Sequence, residues 1–167
     1  MEDKNLIFNK GDKVVYPTHG VGKILDIKDQ VLAGITLQLY VVEFEKDKMV
    51  LSVPTSQIKA SGMRKVSNTE DMNRALQVLR GRARIKRTMW SRRAQEYESK
   101  INSGDPIALA EVVRDLHRNA NQPEQSYSER QIYEAALDRL VREVAAVDDS
   151  IEEVATEKVY DFLQGSR

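Results

Sequence analysis

The chain has 167 residues, of which 41% are hydrophobic and 31% charged, a balance typical of a globular protein with one domain or two small ones. It has no cysteine and only two histidines, which excludes disulfides, thiolate metal sites and any zinc site not built mainly from carboxylates. Its net charge is zero, with 26 basic and 26 acidic residues, so only a segregated charge distribution could favour nucleic acid.

The stretch from Phe8 to about Ala60 follows the two-residue alternation of half-buried β-strands. Strands are predicted at Lys13–Tyr16, Val21–Lys28, Leu37–Glu45 and Met49–Val53, with a short fifth candidate at Gln57–Ala60. In the third strand Tyr40, Val42 and Phe44 fall on one face, which we expect to be buried. Five short strands joined by tight turns predict a small SH3-like or Tudor-like β-barrel, a scaffold that carries no function by itself.

After Ser61-Gly62 the hydrophobic period changes from two to 3.6 residues, which predicts helices. Five helix starts are indicated: an N-cap at Thr69, another at Thr88 or Ser91, Asp105 before Pro106, a capping box at Ser126 and Glu129, and a break at Asp148-Asp149-Ser150 before Ile151. The predicted fold is therefore α+β and multidomain. A small β-barrel in residues 1–65 is followed by an all-α five-helix domain in residues 66–167.

Residues 80–93 form the most unusual stretch of the chain, because seven of their fourteen side chains are Arg or Lys and none is acidic. They also include Trp90, the only tryptophan. Residues 143–163 carry the opposite charge, with seven acids against one lysine, so the neutral chain has segregated charge. A cationic stretch with one large flat side chain suits the phosphates and a base step of nucleic acid.

Two interpretations of Trp90 remain open from the residues alone. Its helical spacing with Tyr97 and Ile101 favours burial against other helices, whereas the cations on both sides of it favour DNA contact. Arg92 and Arg93 follow it and point about 100° apart on a helix, so they could straddle a strand backbone. Basic side chains at a helix N-terminus oppose the helix dipole, which favours a functional role for them.

The chain carries no enzyme signature: it lacks a Gly-rich phosphate loop followed by Lys-Ser/Thr, an H-E-x-x-H motif and a G-x-S-x-G motif. Its carboxylates lie on predicted helix faces, where most serve solvation and ion pairing, so a hydrolase has almost no support. No window approaches a membrane span and no signal-peptide run is present. We therefore expect a cytoplasmic protein that is not an enzyme, with no metal site, cofactor, small-molecule substrate or membrane partner.

Three ordered motifs make the sequence similar to a known family. They are Phe8-x-x-Gly11-Asp12-x-Val14-Val15-Tyr16-Pro17-x-His19-Gly20-Val21-Gly22, then Trp90-Ser91-Arg92-Arg93, then Ser103-Gly104-Asp105 with Ala110–Leu116 and Ser126-x-x-Glu129-Arg130. Together they resemble the CarD/CdnL family of bacterial RNA-polymerase-binding transcription regulators over residues 6–163. The first motif also resembles the polymerase-interacting domain of transcription-repair coupling factors, but the helical half favours a CarD-like protein.

This resemblance implies that residues 1–65 form a Tudor-like domain that adds a strand edge to the RNA polymerase β subunit. It implies that residues 66–167 bind promoter DNA at the upstream edge of the transcription bubble, where a tryptophan wedges into the minor groove and steadies the open complex. The protein would then lie on the bacterial nucleoid through the polymerase. The expected DNA contacts are Trp90, Arg92, Arg93 and Arg130, with further phosphate contacts from Arg84, Lys86 and Arg87. The expected β-subunit contacts are Val42, Ser52 and Pro54.

Two points remain open: how the protein attaches to the polymerase, and whether it is a transcription regulator at all. Some relatives carry basic residues at the positions of Gln30 and Ser52, so backbone pairing is expected to be the main attachment here. The alternative function is an RNA- or ribosome-associated adaptor with a basic patch, because SH3-like barrels also serve that purpose.

Overall fold

The structure is a computed structural model that describes residues 7–118 and 122–164, and its backbone contacts divide the chain into two compact units, Met1–Val66 and Ser67–Arg167. The first is an antiparallel sheet of β1 (Lys13–Tyr16), β2 (Gly20–Leu32), β3 (Ile35–Phe44), β4 (Met49–Pro54) and β5 (Arg64–Lys65). A 3-10 turn (Thr55–Gln57) and a one-turn helix, α1 (Ile58–Ser61), lie between β4 and β5. Within the described residues the second unit has five helices: α2 (Thr69–Val78), α3 (Trp90–Asn102), α4 (Pro106–Leu116), α5 (Tyr127–Asp148) and α6 (Glu152–Gln164). The predicted α+β fold is confirmed.

The core of the sheet unit is formed by the side chains that alternate along β2 and β3. Ile24 and Val42 are 0% exposed, and Tyr40 and Phe44 are 1% exposed. The order of strands is β4-β3-β2-β1-β5, so β4 and β5 are the two edges. On β2, Gly22 passes so close to Phe44 that an added Cβ would lie 2.8 Å from the ring. A larger residue at this position would therefore push the ring out of the core.

The fifth strand predicted at Gln57–Ala60 is wrong, because this segment is helical. Only Ile58 in it is buried, and a single helical turn is enough to bring that side chain into the core. Gly62 ends the turn in a left-handed conformation with φ +74°, which glycine adopts without a steric penalty. The chain then pairs Arg64–Lys65 with β1 as the true fifth strand.

The helical unit is held by one apolar cluster that draws on all five helices. Its fully buried members include Ala75, Leu76, Val113, Leu140 and Val159. The carboxylate of Glu143 on α5 is also buried and accepts the backbone N–H and the hydroxyl of Ser67, at 2.9 and 2.7 Å. These bonds satisfy a buried charge and attach the first residue of the unit to α5.

Three of the helices begin at polar caps that accept a backbone N–H of the first turn: Asn68 for α2, Asp105 for α4 and Ser126 for α5. The predicted N-cap of α2, Thr69, is wrong by one residue, whereas the predicted N-caps of α4 and α5 are confirmed. The prediction for α3 is also wrong, because Met89 precedes this helix instead of Thr88 or Ser91. Met89 has no side-chain cap hydrogen bond within the described part of the chain.

Candidate functional site

Residues 80–89 form an exposed connection between α2 and α3, which we call the basic loop. The structure describes all ten of these residues, assigns none of them to a helix or strand, and leaves every side chain exposed. Arg84, Lys86 and Arg87 therefore lie together on this loop, and Trp90, Arg92 and Arg93 follow at the start of α3. Six of the seven predicted DNA-contacting residues belong to one continuous segment.

The basic loop is attached at its centre to the core by Asp115 on α4. This residue is 3% exposed, and its Oδ1 accepts the backbone N–H of Arg84 at 2.9 Å and the Nε–H of Arg114 at 2.9 Å. Because the bond from Arg84 uses only its backbone, its guanidinium group remains on the surface. A buried charge-assisted hydrogen bond of this kind holds the loop more firmly than exposed contacts would.

Only some of the cations in this segment are available to a phosphate. The guanidinium group of Arg80 lies 4.6 Å from the ring centre of Phe162, and the ammonium group of Lys86 lies 3.4 Å from the carboxylate of Glu96. The exposed cations of this segment that have neither an ion pair nor a ring contact within residues 7–118 and 122–164 are Arg82, Arg84, Arg87 and Arg92. The predicted Lys86 contact would first have to exchange its carboxylate partner for a phosphate.

Trp90 is the first residue of α3, and its surroundings agree with both interpretations, packing on the core and contact with DNA. The indole is partly buried against the helical core, with its ring centre 6.3 Å from that of Tyr97. The guanidinium group of Arg93 lies 5.2 Å from the indole centre, a cation–π distance. Burial, with a smaller contribution from Asp115, raises the pKa of the Tyr97 phenol above its ordinary value. Trp90 is therefore supported by the core while part of it reaches the surface.

Arg130 lies apart from this segment in the chain, in the N-terminal part of α5, and is exposed. It borders an open cavity of about 390 Å³ that is also lined by His117, Tyr133 and Tyr160. The Nδ1 atom of His117 lies 2.8 Å from the Tyr133 hydroxyl, and burial raises the pKa of that phenol. The surroundings of Arg130 are thus more aromatic and less cationic than those of the basic loop.

The predicted protein-binding residues lie on or next to β4, an edge of the sheet. Val42 is 0% exposed on the interior strand β3 and its side chain belongs to the core, so its contact with a partner stays a prediction. Ser52 is exposed and Pro54 is half-buried, and both line a shallow cavity of about 330 Å³ beside the edge. Val50, which the sequence prediction did not include, is 54% exposed on the same face of β4 as Ser52.

The described residues contain no group of three or more His, Cys, Asp or Glu side chains that could hold a metal ion. Every helix within the same ranges is too short or too polar to cross a bilayer.

Comparisons with known proteins find the same family in both halves of the chain. A family model described as "CarD-like/TRCF RID domain" matches residues 8–67, and one described as "CarD, C-terminal domain" matches residues 74–160. Over 141 residues the chain is 28% identical to "Putative transcription factor YdeB" of Bacillus subtilis (strain 168), covering 84% of this chain and 92% of that protein. The solution NMR structure of the 72-residue N-terminal domain of Myxococcus xanthus CarD is 36% identical, with a TM-score of 0.31. It covers 35% of this chain and 77% of that one.

Proposed function

We propose, from the premise that this chain belongs to the CarD family of transcription regulators, that it binds RNA polymerase and promoter DNA at once. Its sheet unit would pair with the polymerase β subunit, and its helical unit would contact DNA at the upstream edge of the transcription bubble. Holding both partners lengthens the lifetime of the open promoter complex. The observation that carries the DNA half is the basic loop, which is anchored to the core by Asp115 and ends at a half-buried Trp90.

The edge strand β4 supports the polymerase half of the proposal. An edge strand offers backbone N–H and C=O groups to a strand of another protein, and this pairing does not depend on side-chain charge. The face of β4 that points away from the core carries Val50 and Ser52, both uncharged. Backbone pairing, with apolar contact from Val50, is therefore the expected attachment, and Ser52 and Pro54 would lie at its border.

The charge of the basic loop supports the DNA half. Each cation that neutralises a phosphate releases a counterion, so such binding is largely independent of sequence and sensitive to salt. An indole at the end of the same segment adds apolar area that can enter a minor-groove step. Arg130 is a further proposed contact, because it is exposed near the start of α5 in the same unit.

The experiment that tests the proposed function is the lifetime of open complexes on one promoter, measured with and without the protein. We expect the protein to lengthen the lifetime, because it adds contacts to DNA and polymerase that exist only in the assembled complex. A parallel pull-down with ribosomal RNA tests the adaptor alternative. An unchanged lifetime together with retention of ribosomal RNA would replace the proposed function with that alternative.

The two units are expected to separate the two binding activities. Because each unit has its own apolar core, residues 1–66 and 67–167 should each fold, which circular dichroism would check. We expect residues 1–66 to retain the polymerase β subunit in a pull-down and residues 67–167 to lose it. Binding that needs only the helical fragment would contradict the role proposed for β4.

A further inference from the structure

The residue before α3 departs from the pattern of the other helix starts described above. Asn68, Asp105 and Ser126 cap α2, α4 and α5 with side-chain oxygens, whereas Met89 occupies the N-cap position of α3. A thioether accepts hydrogen bonds only weakly, and polar residues are strongly preferred at this position. Thr88 and Ser91 are close in sequence, yet neither takes the cap. The chain thus gives up the stability of a polar cap at this start.

The side chain of Met89 is 78% exposed, the largest exposure among the large apolar residues of the described chain. The core therefore gives no reason for an apolar residue here. The neighbouring exposed cations include Arg87 and Arg92, and the indole of Trp90 follows directly. A residue that lowers helix stability and does not pack in the core is most often found at a functional site.

We propose that Met89 is a second apolar wedge, which enters the DNA minor groove next to Trp90. Proteins that kink DNA insert unbranched or bulky apolar side chains, methionine among them, between base steps while cations hold the flanking phosphates. Met89 is free of the core, whereas the indole is partly held by Tyr97 and covered by Arg93. Met89 would thus enter first, and Trp90 would support it. This inference rests on the proposed function and assigns a further residue to the same DNA site.

A single exposed apolar residue is common on protein surfaces, and the chain offers a matched position for comparison. Ile151 directly precedes α6, as Met89 precedes α3, and it is 64% exposed. The carbonyl of Ile151 accepts the N–H of Ala155 at 3.2 Å, and that of Met89 accepts the N–H of Arg93 at 3.1 Å. The two positions differ in charge, because Glu152 and Glu153 follow Ile151. Two carboxylates beside Ile151 disfavour contact with phosphates, so the same substitution there serves as a test of stability.

The test compares Met89→Ser and Ile151→Ser in the full chain, with melting temperature and open-complex lifetime measured for each. Serine supplies the missing cap acceptor at both sites, so we expect neither melting temperature to fall. We expect Met89→Ser to shorten the lifetime about five-fold, the scale for losing roughly one buried methylene or two. Ile151→Ser should leave the lifetime unchanged, and Met89→Leu should retain most of it.

The outcomes separate this inference from the proposed function. If the unmodified protein lengthens the lifetime and Met89→Ser does so equally well, Met89 is not a wedge and the proposed function stands. If Met89→Ser melts at a lower temperature and Met89→Leu loses as much lifetime, the residue is structural and the inference is overturned. If the unmodified protein has no effect on lifetime, the proposed function fails and the inference fails with it.

Discussion

Trp90→Ala is expected to shorten the open-complex lifetime by roughly five- to hundredfold. Stacking of an aromatic side chain on a base is worth about 1–3 kcal/mol, and 1.4 kcal/mol corresponds to about tenfold. The substitution should also lower the melting temperature, because the indole packs partly on the helical core. Since the ring is only half-buried, the loss of stability should be smaller than the ~3–5 kcal/mol typical of a fully buried tryptophan.

The control for this prediction is a core substitution on the same helix. Ile101 is 6% exposed on α3, and Ile101→Val should cost about 0.5–1.5 kcal/mol of folding stability without changing the surface. If Trp90→Ala acts through DNA contact, it will shorten the lifetime far more than Ile101→Val does at a similar melting temperature. The DNA role would be wrong if Trp90→Ala unfolded the helical unit while a folded Trp90→Phe kept full activity.

The helix starts show which part of the fold can be predicted from sequence. The caps of α4 and α5 were predictable because Asp105 and Ser126 act on backbone groups two or three residues away. The fifth strand was not, because β5 has only two residues and exists through its pairing with β1, about fifty positions earlier. A segment as short as Gln57–Ala60 also gives no period that separates a strand from a helical turn.

In the candidate site, too, the features set by neighbouring residues could be predicted and those set by distant residues could not. The cations and Trp90 were visible as composition, but the bond between Asp115 and Arg84 joins residues 31 positions apart. Nothing in the local sequence indicates that pairing, or which cations already have partners. Val42 shows the difference between a position and a side-chain direction. The alternation of β3 already placed this residue on the buried face, whereas the family resemblance gave a position and not the direction of a side chain.

Asp115→Ala is expected to cost about 3–5 kcal/mol of folding stability, because it breaks a buried ion pair and leaves its partners without compensation. The side chain of Arg114 is only 11% exposed and would lose the carboxylate, and the N–H of Arg84 would lose its acceptor. Asp115→Asn should cost less, since its amide oxygen can still accept the N–H of Arg84. Denaturant unfolding of both variants measures the difference.

The matched control for that prediction is Asp138→Ala on α5. Asp138 forms an ion pair with Arg142 at 3.2 Å, but both side chains are more exposed than those of Asp115 and Arg114. A partly exposed pair of this kind contributes on the order of 1 kcal/mol or less. A loss for Asp138→Ala as large as that for Asp115→Ala would contradict the importance assigned to burial.

The same bond should also affect DNA binding, through the order of the basic loop. With four available cations the unmodified protein should show a log–log salt slope of about −3.6. In Asp115→Ala the cations remain, so we expect the slope to stay the same while affinity falls, because DNA binding must now order the loop. Limited trypsin digestion should cut the loop of this variant faster, at Arg84 and Arg87. If a folded Asp115→Ala protein binds DNA with unchanged affinity, Asp115 supports the core and does not position the loop. If affinity falls and the slope becomes shallower, a cation has left the interface. The weaker binding would then come from a lost phosphate contact and not from a less ordered loop.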